Sequence, residues 1–146
     1  MKHEFSNLDA LLSAVEAELI GVTDELADRV HKVLLHFVQD YYEGYSPVMY
    51  QRKYDFLNAV VKVGARRTKN GAEAHVYIDY DSMDGYKDVS GLQVVTWANE
   101  GLHGGYKAPG HAPHVWNDTM AATIDNGELL RLAIKYLRQH GIPVSR

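Results

Sequence analysis

Cysteine is absent from all 146 residues. That absence removes a disulfide framework, a thiolate nucleophile and any cysteine-based zinc site. An intracellular assembly compartment fits such a chain. The opening residues Met1-Lys2-His3-Glu4-Phe5 lack the apolar stretch of a signal peptide. No run of about 18 apolar residues occurs, so nothing reads as a membrane span. An excess of positive charge is missing too. The formal net charge is −4, which argues against a general nucleic-acid binder. Serines are few, and none sits in a Gly-x-Ser-x-Gly elbow.

What is present suits one domain large enough to bury a core without staples. The densest feature is Tyr41-Tyr42-Glu43-Gly44-Tyr45-Ser46-Pro47-Val48-Met49-Tyr50-Gln51-Arg52-Lys53-Tyr54, which holds half of the ten tyrosines. Tyr and Arg combine large contact area with a hydrogen-bonding tip, and they are enriched where protein surfaces meet. The segment reads as an interface, with packing inside the subunit as the alternative. Tyr41 and Tyr45 could equally sit at the core rim.

Charge is distributed unevenly. Arg52, Lys53, Lys62, Arg66, Arg67 and Lys69 face a lone Asp55 in the middle of the chain, whereas the first forty residues are acidic. The acidic end of one copy could meet the basic middle of another. The alternative is a solvated hairpin with charged edges.

Leu8, Leu11, Leu12, Val15 and Leu19 recur at helical spacing, with Ser6 or Asn7 as cap and Gly21 as the end. Thr23 is expected to cap a second helix carrying Leu26, Val30, Val33, Leu34, Phe37, Val38 and Tyr41, stopped by Gly44. Ser46-Pro47 suggests a short third helix with Tyr50, Tyr54 and Leu57 on one face. The period then changes to two. Val61, Val63 and Ala65 alternate with polar residues. After an Asn70-Gly71 turn, Ala72, Ala74, Val76, Ile78 and Tyr80 do the same. A β-hairpin over roughly 59–80 follows. Leu92, Val95 and Leu102, with Trp97 and Ala98 between, suggest a short helix capped by Ser90. A long loop spans about 101–116 and is either functional or mobile. Asn117-Asp118 starts another helical piece, and Asn126-Gly127 interrupts it. Leu129, Leu130, Ala133, Ile134 and Leu137 define a last helix, with Gly141 and Pro143 beyond it. The fold class is α+β: N-terminal helices, a central β-hairpin in an antiparallel sheet, and C-terminal helices. The hairpin alone cannot make a stable sheet, so helices or neighbouring hairpins must cover it.

Two clusters invite a chemical reading. His103, His111 and His114 lie on the glycine-rich loop, with Asp118 nearby, and three such ligands plus an open position would make a zinc-type site. Pro113 spoils a helical turn that would aim His111 and His114 at one ion. Asp79, Asp81 and Asp84 fail the calcium-loop pattern and read as a solvated turn. His31, His36 and His75 read as surface histidines, and Trp97 and Trp116 as core or interface anchors.

Tyr42, Tyr45, Pro47, Tyr50, Arg52 and Leu57 resemble a Tyr-x-x-Tyr-x-Pro-x-x-Tyr-x-Arg…Leu pattern of small morphogenesis proteins from tailed bacteriophages of Gram-positive hosts. Gly101-Leu102-His103-Gly104-Gly105 resembles their Gly-x-His-Gly-Gly stretch, and Gly141-Ile142-Pro143-Val144 their ending. The resemblance implies a minor structural protein of head–tail joining or tail completion. Such proteins are compact α+β subunits that form rings, and no catalytic residue or cofactor is implied. The expected contact residues are Tyr42, Tyr45, Tyr50, Arg52, His103, Tyr106 and Trp116. The expected partners are copies of the chain and other neck, head or tail proteins, in the virion and in the host cytoplasm during assembly. No membrane partner is expected, and nucleic acid only as DNA passing through a ring. The competing readings are a small metal-dependent hydrolase or nuclease using His103, His111, His114 and Asp118, and a phage-encoded inhibitor of a host protein.

Overall fold

A computed structural model describes residues 8–43, 54–83, 88–103, 106–107, 113–142 and 144–145. Helix α1 (Leu8–Glu43) runs unbroken for 36 residues, about 54 Å at the usual rise. The expected division at Gly21 does not occur. Gly21 sits mid-helix with the Tyr136 hydroxyl against it, in the space that a Cβ would fill. The glycine therefore serves a close approach, at a cost of about 1 kcal/mol in helix propensity relative to Ala. Thr23 caps nothing. Its hydroxyl donates to the Leu19 carbonyl at 2.7 Å, one helical turn back. The helix is described as far as Glu43, and the expected stop at Gly44 lies outside the described residues.

Tyr54 leads into a single turn, α2 (Asp55–Asn58). The rest of the expected third helix, including Tyr50, lies outside the described residues. Strands β1 (Val60–Thr68) and β2 (Gly71–Ile78) form the expected antiparallel hairpin, with Val60 opposite Ile78 and Thr68 opposite Gly71. The loop residues are Lys69 and Asn70, one position earlier than the Asn-Gly signal implies. Gly71 takes φ +156° as it enters β2, a backbone value that side chains disfavour.

The inward face of β1 also differs from expectation. Val60 is buried and the Lys62 side chain is largely covered, whereas Val63 is exposed. The face toward α1 therefore carries Val60 and Lys62 opposite Ile78 and Val76. A slip of one residue reverses every side chain in a strand. The valine alternation is ambiguous in the sequence because Val60, Val61 and Val63 are all apolar. On β2 the expected alternation holds from Ala74 to Ile78, with His75 and Tyr77 outward, but Tyr80, expected to continue it, lies beyond the strand in a 3-10 turn and is exposed. Pairing is irregular between Val63 and Arg66, which marks a bulge.

After a 3-10 turn (Tyr80–Ser82), helix α3 (Gly91–Glu100) begins at a full capping box. Ser90 accepts from Gln93 N–H, and the Gln93 side chain accepts from Ser90 N–H. The helix stops at Gly101, which takes φ 72°, so Leu102 is not part of it as expected. The expected long loop contains two short paired strands, β3 (Leu102–His103) and β4 (Tyr106–Lys107). Helix α4 (Val115–Met120) starts two residues before Asn117 and continues into a π-turn at Ala121–Asp125. Gly127, at φ 73°, then opens α5 (Glu128–Gln139). The buried Thr119 and Thr123 hydroxyls bond to the carbonyls of Val115 and Thr119, both at 2.7 Å, so neither is left unsatisfied.

The hairpin, α4, the π-turn and α5 all pack on α1. Leu34, Val38, Tyr41, Phe56, Val60, Ala98 and Val115 form the core cluster. The architecture is α+β, with one long N-terminal helix, a central hairpin and C-terminal helices. Among the described residues no helix is long and apolar enough to cross a membrane.

Substituting Gly21→Ala should lower the melting temperature, even though Ala is the better helix former. Its methyl group displaces the Tyr136 ring and loosens α5. Tyr136→Phe in the same chain should recover part of the loss by removing the hydroxyl. A double-mutant thermal melt checks this, and simple additivity of the two changes would disprove the contact.

Candidate functional site

The tyrosines at the end of α1 follow helical phase. Tyr41 falls on the buried stripe and is 6% exposed, while Tyr42 lies at its edge. The Tyr41 hydroxyl donates to the Leu102 carbonyl at 2.7 Å, which ties the end of α1 to β3. Phe56 N–H donates to the Tyr42 hydroxyl at 3.2 Å. The Tyr41 and Phe56 rings meet edge-on at 5.8 Å, and Tyr54 lies 5.2 Å from Tyr42. Each such pair adds about 0.5–1.5 kcal/mol beyond its buried area. This end of the tyrosine segment thus packs within the subunit, though Tyr42 is only half-buried.

Tyr54 is the least expected residue of this group. It is 49% exposed, yet holds a left-handed backbone with φ 58° and ψ 26°. A non-glycine residue there costs roughly 1–2 kcal/mol. The neighbouring Tyr42 ring and the bond from Asn58 N–H to the Tyr54 carbonyl hold it in place. No sequence pattern marks it, because the strain exists only in the folded backbone. Tyr45, Tyr50 and Arg52 lie outside the described residues. For His103 and Tyr106 the backbone alone is described, and it places them opposite each other on β3 and β4. Trp116 is exposed at the start of α4.

Among the described residues, Asn99 of α3 holds the end of the histidine loop and the start of α4. Asn99 Oδ1 accepts from the N–H groups of Trp116 and Asn117, both at 3.0 Å. Those are free donors at a helix start. The Asn99 carbonyl lies 2.9 Å from His114 Nδ1, and Asp118 accepts from His114 N–H at 2.9 Å. The Asp118 carboxylate therefore works as part of the α4 cap. Asn99 escapes sequence reading because its partners lie 17 and 18 residues onward. Among the described residues, no three His, Cys, Asp or Glu side chains gather as a metal site. His111 lies outside them.

The basic hairpin meets the acidic helix inside one chain. Lys62 Nζ lies 2.6 Å from Asp28 and 3.1 Å from Asp24, and Arg67 lies 2.6 Å from Glu16. Arg66 pairs across the hairpin with Glu73. Asp24 also accepts from Ala65 N–H at 2.9 Å, an amide at the β1 bulge. The Ala65 amide, and then Lys62, hold the Asp24 carboxyl below its ordinary value. Asp28, and then Asp24, hold Lys62 above its ordinary value despite an opposing desolvation. Arg66 lowers Glu73. Burial, and then Glu18 and Glu25, raise the Tyr136 phenol.

A lowered carboxyl pKa adds stability above its unfolded value, near 3.8 for Asp24, and that stability disappears as pH falls through the folded value. A raised lysine pKa adds stability below about 10.5, lost as pH rises through the folded value. Asp24→Asn should therefore flatten the acid limb of the stability–pH curve while leaving the neutral fold intact, as measured by urea melts across pH. An acid limb in Asp24→Asn as steep as that of the parent chain would disprove the assignment. Tyr41→Phe should cost about 1 kcal/mol, because a neutral hydrogen bond to the Leu102 carbonyl is lost. The same melts read that loss.

Comparison with known proteins adds one relationship. The model of one protein family, described as YomN, matches residues 7–139. No curated protein and no solved structure matches the chain. The match spans nearly the whole sequence, from the start of α1 to the end of α5, so it covers the α1 spine and everything packed on it. The chain belongs to the YomN family, named after a gene of a Bacillus phage region, and is a phage-related protein.

Proposed function

We propose that this protein is a bacteriophage structural subunit that acts in head–tail joining or tail completion, by self-association and docking. The observation that carries the reading is the placement of its exposed apolar side chains. They lie on extended faces rather than in a cleft. Leu12, Val15 and Leu19 are exposed on α1, and Val63 and Tyr77 on the outer face of the hairpin. Exposed apolar side chains that share a face are candidates for contact surfaces. The phage-related family supports the same reading.

The mechanism is geometric. One long helix braces the hairpin and the C-terminal helices as a rigid body. The end of α1, the entry to α2 and the start of α4 offer Tyr42, Tyr54 and Trp116 at the surface, to which Tyr45, Tyr50, Arg52, His103 and Tyr106 are proposed to add contacts. The subunit would work in the host cytoplasm during assembly and remain in the finished virion. Its partners would be copies of itself and neighbouring neck, head or tail proteins.

The test uses the phage that encodes the chain. Purified particles should contain the protein at a fixed number of copies, read by quantitative mass spectrometry. Deleting its gene should leave filled heads and free tails unjoined, or tails incomplete, under the electron microscope. Normally joined, infectious particles without the protein would reject the reading. So would a stoichiometric transition metal that vanishes on replacing His111 and His114, because that outcome favours a metal-dependent hydrolase.

A further inference from the structure

Two faces of this subunit are complementary and lie on different elements. The first is the beginning of α1. Leu12, Val15 and Leu19 recur at i, i+3 and i+7, so they share one side of the helix. Val22, Val30 and Val33 continue that side further along, where Val22 and Val33 are buried. At the N-terminal end the same stripe is exposed, with Leu12 at 51%. From Leu8 to Asp28 the helix contains no Lys, Arg or His. Asp9 and Glu16 flank the stripe on one side and Glu18 on the other, by their positions around the helix. Of these, Glu16 is already engaged by Arg67.

The second face is the outer side of α5. Leu130 is 67% exposed, and Ile134 lies one turn along from it. Arg131, Lys135 and Arg138 join Ile134 in lining a shallow groove of about 350 Å³. None of these three cations pairs with a carboxylate among the described residues. Arg131 donates to the Asn126 carbonyl at 3.0 Å, and Arg138 to the Val144 carbonyl at 3.1 Å. Those neutral acceptors fix the guanidinium groups without cancelling their charge.

We infer that the acid-flanked stripe at the start of α1 docks on the basic, Leu130-bearing face of α5 in a second copy of this chain. Charge selects this pairing over the symmetric ones. Two α1 stripes face to face would oppose acid with acid, and two α5 faces would oppose base with base. The two faces cannot meet within one subunit. The inner side of α5 already packs on α1, through Tyr136 at Gly21 and through Glu128, 2.7 Å from Arg29. A contact between unlike faces is heterologous, so each subunit keeps one free donor face and one free acceptor face, and the assembly grows into a ring or a filament. This inference rests on the self-association proposed above and names its surfaces.

Because the chain has no cysteine, single introduced thiols can report the contact. Val15→Cys and Leu130→Cys alter exposed side chains, and thermal melts check that both chains fold. One of the two carries an affinity tag. Oxidising an equal mixture at low salt should give the mixed disulfide, joining position 15 of one chain to position 130 of the other, in roughly tenfold excess over either self-linked product. Raising the salt should erode that excess. A chain carrying both substitutions should oxidise to covalent trimers and larger species. Adding Lys135→Glu to the Leu130→Cys chain should suppress the link, and Glu18→Lys in the Val15→Cys chain should restore it. A dominant self-linked product of the Val15→Cys chain, or no mixed link at millimolar protein, overturns the inference. Presence in joined virions is scored separately, so loss of this contact leaves the virion reading to stand or fall by its own experiment.

Discussion

A two-stranded hairpin in water has too little face to hold itself together. In this protein the hairpin survives because α1 lies along it. Val60, Val76 and Ile78 give it an apolar contact, and Lys62 gives it a charged one. The bulge in β1 leaves an amide that Asp24 takes up. Without that acceptor the irregular stretch between Val63 and Arg66 would leave a donor unpaired near the helix, at a cost comparable to a lost hydrogen bond. The position of the hairpin, and with it the outward face of Val63 and Tyr77, therefore depends on side chains of α1.

The same helix organises the opposite end of the molecule. Its last turn supplies Tyr41 and Tyr42, which bind β3 and α2 through their hydroxyls. Its middle accepts Tyr136 at Gly21, which sets how closely α5 approaches. A single spine so loaded transmits position along its length, because packed side chains resist small displacements. The assembly role proposed above would draw on that property. Among the described residues, most of the exposed large apolar side chains lie on faces of helices and of the hairpin.

Charge is divided between internal and external use. The acidic stretch of α1 and the basic β1 are complementary, and the fold brings them together within one subunit. Exposed ion pairs of this kind contribute little individually, so Arg67–Glu16 and Arg66–Glu73 fix register and orientation more than stability. Among the described residues, Arg131, Lys135 and Arg138 enter no ion pair and lie together on α5, whereas the unpaired Lys32 and Lys69 stand apart on α1 and in the hairpin loop. Asp9 and Glu18, near the start of α1, take no part in the ion pairs with the hairpin.

Much of the fold is legible in the residues. Helical stripes, the Ser90–Gln93 capping box, the hairpin and the Asn126-Gly127 interruption are local signals, fixed by side chains a few positions apart. Such reading fails where a residue's partner is distant. Gly21 reads as a helix end because the sequence does not show Tyr136 arriving against it. Val63 reads as an inward residue because only the pairing with β2 and the contact with α1 decide which valines face in. The acidic and basic segments read either as surfaces for another copy or as a solvated hairpin edge, and the fold joins Lys62 and Arg67 to α1 within one chain. Of the proposed contact residues, Tyr42 and Trp116 are at least partly exposed, but the roles of Asn99, Tyr54 and the α5 face emerge only with the folded backbone. Sequence alone determined which segments coil, which extend and where most of them stop, since those choices depend on neighbours within a turn. Tertiary structure decided which side of each element is left uncovered, since that depends on which distant segments pack against it.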